Sequence, residues 1–85
     1  MYRLLYSQDS VRQLKKLDTS VQRLITSYMK KIGELPEPRA KGKPLSGQLK
    51  GFWRYRVQDF RVICEIDEDS ITIFVIDIGH RSKIY

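Results

Sequence analysis

Eighty-five residues suffice for one domain, 1–85, built on a single modest core, and leave no room for a second. With 41% hydrophobic and 31% charged residues the chain is too apolar for a disordered tail, and no apolar run approaches the ~18 residues of a membrane span. The opening Met1-Tyr2-Arg3-Leu4-Leu5-Tyr6 lacks the long apolar region of a signal peptide, so a cytoplasmic protein without membrane partners is expected, and the net charge of +6 points to a polyanion or an acidic protein as its partner.

In chain order, Tyr2–Tyr6 reads as a first strand with Tyr2, Leu4 and Tyr6 on one face. Ser7 or Asp9 can cap a helix in which Val11, Leu14 and Leu17 line one side while Arg12, Lys15 and Lys16 take the solvent. Asp18-Thr19-Ser20 interrupts it and starts a second helix. There Val21, Leu24, Ile25, Tyr28 and Ile32 recur at helical spacing, Gly33 is the expected C-cap, and Pro36 and Pro38 stop the helix from continuing. Residues 33–51 form a loop rich in Pro, Gly and Lys, in which Arg39, Lys41, Lys43 and Lys50 meet no acid after Glu37. It reads as a solvated connection or as a loop that touches a phosphate backbone.

From Phe52 the period changes to two. Phe52–Val57, Phe60–Asp67 and Ser70–Ile78 read as three antiparallel strands joined at Gln58-Asp59 and Glu68-Asp69. The predicted fold is α+β: an N-terminal strand, a helical hairpin, then a three-stranded antiparallel meander, with the helices packed on one face. The partner of the first strand stays open; joining an edge of the meander would give four strands. Cys64, alone and inside Val62–Ile66, excludes an internal disulfide and is a core residue. A lone histidine and scattered acids lack the spacing of a metal site, and no metal or cofactor is expected.

Charge is unevenly spread. Residues 1–50 hold eleven Lys and Arg against four acids, whereas 51–85 hold five against six, so the arginines of the second half are not a by-product of basic composition. A two-residue Gln58-Asp59 turn sets Val57 opposite Phe60, Arg56 opposite Arg61 and Tyr55 opposite Val62. Trp53, Tyr55, Val57, Phe60, Val62, Cys64 and Ile66 then share the face toward the helices, and Arg54, Arg56 and Arg61 share the other. Directly opposed like charges destabilise a sheet by up to ~1 kcal/mol, so the arrangement implies an anion between them. Carried through Glu68-Asp69, the same register pairs Arg61 with Ile76. It puts Thr72, Phe74, Ile76, Ile78 and His80 on the arginine face, brings Arg81 close, and offers Phe74 and Tyr85 as flat surfaces for an unstacked base. Guanidinium suits phosphate because its planar fork donates two parallel charge-assisted hydrogen bonds.

Phe52-Trp53-Arg54-Tyr55-Arg56-Val57, Asp59-Phe60-Arg61-Val62-Ile63, Ile78-Gly79-His80-Arg81 and the late Tyr85 together resemble toxins of the RelE/ParE superfamily, and the first strand, hairpin and basic loop match in order and length. The resemblance implies the toxin of a type II toxin–antitoxin pair, with a cognate antitoxin as partner. RelE-like members enter the ribosome and cut mRNA by attack of the 2′-hydroxyl on the adjacent phosphate, without a metal; ParE-like members poison DNA gyrase. Occupancy of the RelE-type positions implies a RelE-like endoribonuclease. Arg56, Arg61, Arg81, Tyr85 and His80 would then be catalytic, and Arg54, Arg56, Lys41, Lys43 and Lys50 would hold RNA phosphates. His80 is the candidate for proton transfer, since imidazole titrates near neutrality. Arg54 and Arg56 stand where RelE proper has lysines, and a guanidinium does not accept a proton, so the general base is unassigned. A gyrase inhibitor and a non-catalytic module that only docks antitoxin or nucleic acid are the competing readings.

Overall fold

The computed structural model describes residues 1–80. The elements are β1 (Arg3–Tyr6), α1 (Gln8–Lys15), α2 (Thr19–Glu34), β2 (Lys43–Pro44), β3 (Trp53–Val57), β4 (Phe60–Asp67) and β5 (Thr72–His80), with short 3-10 turns at Pro38–Ala40 and Gly47–Leu49. They form an α+β fold on one five-stranded sheet of order β1-β5-β4-β3-β2. The meander β3-β4-β5 is antiparallel as predicted. The first strand joins its β5 edge in parallel, Leu5 beside Phe74, and the stretch read as loop supplies a fifth strand at the opposite edge.

Ser7 caps α1, its Oγ accepting from the Ser10 amide at 3.0 Å. Asp18 occupies the N-cap position of α2 without a side-chain cap bond. Along α2 the spacing of four and three brings Ile25, Met29 and Ile32 onto Tyr55, Val57, Val62, Cys64, Ile66, Ile73, Val75 and Ile78 of the sheet, and Leu14, Leu17 and Tyr28 close the margins. Both helices therefore contribute to the same core. Leu24, assigned to that face by its spacing, remains 42% exposed. Gly33 does not end the helix. It is buried within α2, where its carbonyl accepts from the Tyr2 amide at 2.8 Å, and an added Cβ would stand 3.2 Å from the Tyr2 carbonyl oxygen. Its small size admits the start of β1.

The register of β5 departs from the sequence reading by three residues: Arg61 faces Gly79, not Ile76. Two local features produce this. The β4–β5 turn holds four residues rather than two, because Asp67 Oδ1 accepts from the amides of Asp69 (3.0 Å) and Ser70 (3.4 Å) and Ile71 adopts a φ of 51°. A bulge beside Ile63 and Cys64 then inserts Ile76.

Cys64 is fully buried at the centre of this core, and burial pushes its thiol from the ordinary 9.0 up to about 12. The unfolded chain can ionise where the fold cannot, so this contribution is complete below pH ~9 and is lost as pH rises toward about 12. Between pH 7.5 and pH 10 the protein should lose about 1.4 kcal/mol more stability than its Cys64→Ala variant, as read from urea unfolding. Equal losses would show that the thiol is not buried as described.

Candidate nucleic-acid interface

β3 and β4 meet in the register expected from the two-residue turn: Val57 opposite Phe60, Arg56 opposite Arg61, Tyr55 opposite Val62. Paired residues share a face, so Arg54, Arg56 and Arg61 lie on the side of the sheet away from the helical core. β2 adds Lys43 directly across from Arg54. The result is two neighbouring rows, Lys43-Arg54-Ile63-Asp77 and Arg56-Arg61-Gly79. Four cations occupy adjoining positions on one surface.

These charges act on one another. Burial, then the charges of Arg56 and Arg61, hold the Arg54 guanidinium below its ordinary range. The Arg54 Nε is buried and donates to no described residue. Among the described residues the ion pairs are Arg12–Asp9 and Arg39–Glu68, neither of them on this surface. Asp77, the acid in the row of Arg54, is engaged by α1. Asp77 Oδ1 accepts from Gln13 Nε2 at 2.6 Å, while Gln13 Oε1 accepts from the Ile78 amide at 2.7 Å, so α1 secures the part of β5 that extends past β1. Glu65 lies beside Phe74, further along β4 from the arginine pair, next to the acidic turn Asp67-Glu68-Asp69.

The backbone that presents Lys43 depends on a close approach. Gly42 has a φ of 78°, and a Cβ there would fall 2.5 Å from the Arg54 carbonyl oxygen and 2.7 Å from Trp53 Nε1. The same segment is tied down by Trp53 Nε1, which donates to the Lys41 carbonyl at 2.7 Å, and by the buried Tyr55 hydroxyl, which donates to the Pro38 carbonyl at 2.8 Å. Arg39 stacks 5.8 Å from the centre of the Trp53 ring and bonds to Glu68 and the Ile66 carbonyl, which makes it a structural strap. Gly42, Lys43, Arg54 and Arg56 together with Tyr28 of α2 line a cleft of about 230 Å³ at the edge of β3.

Of the predicted site residues, Arg54, Arg56, Arg61 and Lys43 come together. Lys41 is exposed on the same approach to β2, whereas Lys50 follows the Gly47–Leu49 turn, beyond the Trp53 end of β3 and away from Arg56. His80 and Ile78 are corrected. The altered register places both with the helix side: Ile78 is in the core, and His80 faces Phe60 with ring centres 5.7 Å apart. Phe74 is on the arginine face but two rows from Arg61, beside Glu65. Arg81 and Tyr85 lie outside the described residues. Tyr28 was read from the sequence only as a helix-face residue. Lys43 was counted as a loop charge, although Lys-Pro is the chemistry that blunts an edge strand.

The sequence model of the ParE toxins of type II toxin–antitoxin systems matches residues 4–85, nearly the whole chain. The chain belongs to this family. The toxin is 28% identical over 85 residues to Toxin RelG of Mycobacterium tuberculosis, covering 99% of this chain and 95% of that one. It is 24% identical to a putative RelE-like toxin protein of Escherichia coli, over 96% of this chain and 85% of the other. Its fold matches that in the toxin–antitoxin complex RelBE2 of M. tuberculosis at a TM-score of 0.85 and 24% identity, over 96% and 93% of the two chains. The archaeal RelE-RelB complex of Pyrococcus horikoshii matches at 0.76 and 22%, over 98% of each. The toxin is thus a member of the RelE/ParE superfamily.

Relieving the opposed pair should stabilise the free toxin. At low ionic strength Arg56→Thr is expected to gain up to ~1 kcal/mol, a rise of several degrees in the thermal midpoint for a domain of this size. Added phosphate should narrow the difference by stabilising the parent more. A variant that melts at or below the parent would contradict the repulsion.

Proposed function

We propose that this toxin is a RelE-like, ribosome-dependent endoribonuclease that cuts mRNA through attack of a 2′-oxygen on the adjacent phosphorus. The carrying observation is the Arg56–Arg61 pair, directly opposed and flanked by Arg54 and Lys43, with no acid of the described residues ion-paired to Arg54 or Arg56. Cations grouped in this way suit a phosphate, whose oxygens accept charge-assisted hydrogen bonds from several guanidiniums at once. As the 2′-oxygen bonds to phosphorus and the bond to the 5′-oxygen breaks, negative charge grows on the non-bridging oxygens. Arg54, Arg56 and Arg61 offset it with donors already in place, which is electrostatic stabilisation of the transition state. The nucleophile belongs to the substrate, so the attack itself calls for no metal.

Arg81 and Tyr85 take the roles implied by their motif, Arg81 at the departing 5′-oxygen and Tyr85 against the nucleotide. Proton transfer falls to a group other than the arginines. The register of β5 turns His80 to the helix side beside Phe60, off the arginine face, so that part stays unassigned. A cognate antitoxin is the second partner, a reading supported by relatives solved as toxin–antitoxin complexes. The family's ParE description favours one competing reading, inhibition of DNA gyrase.

In a reconstituted translation system the toxin should cleave ribosome-bound mRNA and leave gyrase supercoiling untouched. Arg61→Ala should slow cleavage by about 100-fold or more, and Arg81→Ala should impair it as well. Cleavage unaffected by both substitutions would sink the assignment, and inhibited supercoiling with intact transcripts would establish the gyrase reading.

A further inference from the structure

The cleft beside β3 sets Lys43, Gly42 and Tyr28 against two arginines that the scissile phosphate also engages, Arg54 and Arg56. It opens where β2 ends: β2 covers only Trp53 and Arg54, so among the described residues the edge of β3 from Tyr55 onward has no strand neighbour there. Lys43, Arg54 and Arg56 supply three positive charges along it, while Arg61, one strand further in, is not among its lining residues. Gly42 and Tyr28 complete its lining, and Tyr55 lies buried behind Tyr28. Tyr28 meets Tyr55 edge to face, with ring centres 6.2 Å apart and planes at 61°, and Tyr55 is itself immobilised by its bond to the Pro38 carbonyl. Tyr28 is half-buried, and burial raises its pKa, so the hydroxyl stays protonated and able to donate. That hydroxyl has no hydrogen-bond partner among the described residues. A cleft of about 230 Å³ is of a size for a phosphate with part of its sugar, and too small for several nucleotides.

Cations grouped around a fixed aromatic residue with an unused donor form the combination that grips a single-stranded nucleic acid. We propose that this cleft is a second nucleotide subsite, taking the phosphate and ribose of a residue next to the cut, with Lys43, Arg54 and Arg56 on the phosphate and the Tyr28 hydroxyl on phosphate or ribose. Arg54 and Arg56 then face two consecutive phosphates, one in the cleft and one at Arg61. This sets how the chain runs across the sheet, from the Arg61 side outward over the β3 edge to β2. The inference rests on the reading of the toxin as an RNA-directed protein. It also gives Gly42 a functional reason, since a side chain there would lift Lys43 away from Arg54.

The test is direct binding of the full-length free toxin to a fluorescein-labelled single-stranded oligoribonucleotide whose 2′-hydroxyls are methylated to prevent cleavage, measured by anisotropy over a range of salt. Tyr28→Phe removes only the hydroxyl and should weaken binding by about two- to tenfold, the net worth of one hydrogen bond. Lys43→Gln is an exposed substitution that keeps the fold. It should weaken binding and lower the slope of log K against log salt by about 0.7, one phosphate contact to a single strand. Lys16→Gln, on the far end of α1, should leave affinity nearly unchanged. Parent-like affinity and slope in both cleft variants, or equal losses in all three, would overturn the subsite. The outcomes separate from those of the cleavage assay. Binding lost in the cleft variants of a toxin that never cuts mRNA would keep the subsite and remove the nuclease reading. Cleavage that proceeds while both variants bind normally would do the reverse.

Discussion

Arg56 and Arg61 face each other across an antiparallel pair, side by side on the same surface, with Arg54 and Lys43 in the next row. Left alone, that arrangement works against the sheet. It persists because everything behind it is fixed. The same alternation that puts the arginines outward puts Tyr55, Val57, Val62 and Cys64 inward, where all are at most 7% exposed. Sliding β3 by one residue would turn the apolar set to solvent and the arginines into the core. Burial of the inner face thus holds Arg56 and Arg61 directly opposed on the outer face.

Several contacts that look merely structural serve this geometry. The Tyr55 hydroxyl and Trp53 indole reach back to the carbonyls of Pro38 and Lys41, and Arg39 bridges to Glu68 and Ile66. Together they lay the segment before β2 along the sheet edge, and Gly42 lets it approach closely enough for Lys43 to pair with Arg54. On the other side, Gln13 engages Asp77 and so turns the nearest carboxylate toward α1 rather than toward the arginines. Acids are concentrated at the β4–β5 turn, at the opposite end of the strands from Arg61. The outer face is therefore polarised, cationic toward the β3–β4 turn and acidic toward the β4–β5 turn.

The legible part of this architecture was the part governed by short-range rules. A two-residue turn at Gln58-Asp59 admits one pairing, so the Arg56–Arg61 opposition followed from spacing alone, and the helical hairpin followed from its apolar period. The motif Phe52–Val57 with Asp59–Ile63 also carried the superfamily, which the match over residues 4–85 bears out. Illegible features depended on tertiary context. Neither the four-residue turn capped by Asp67 nor the positive φ of Ile71 has a glycine to announce it, and the bulge at Ile76 leaves no mark on an apolar run. Together they moved β5 by three residues and carried His80 off the arginine face. Parallel pairing of β1 with β5 joins residues some seventy positions apart, for which local pattern has no signal. Gly33 resembled a helix terminus but is a site of close packing against β1.

The proposed function requires the Arg54-Arg56-Arg61 surface, extended by Lys43, to receive a phosphate backbone. It is tested most directly by following the arginine Nε–Hε resonances of the free toxin by NMR while titrating a non-cleavable single-stranded oligoribonucleotide. The signals of Arg54, Arg56 and Arg61 should shift together and saturate at one common concentration, with those of Arg12 and Arg23 unmoved. Shifts spread evenly over all arginines, or absent from these three, would contradict it.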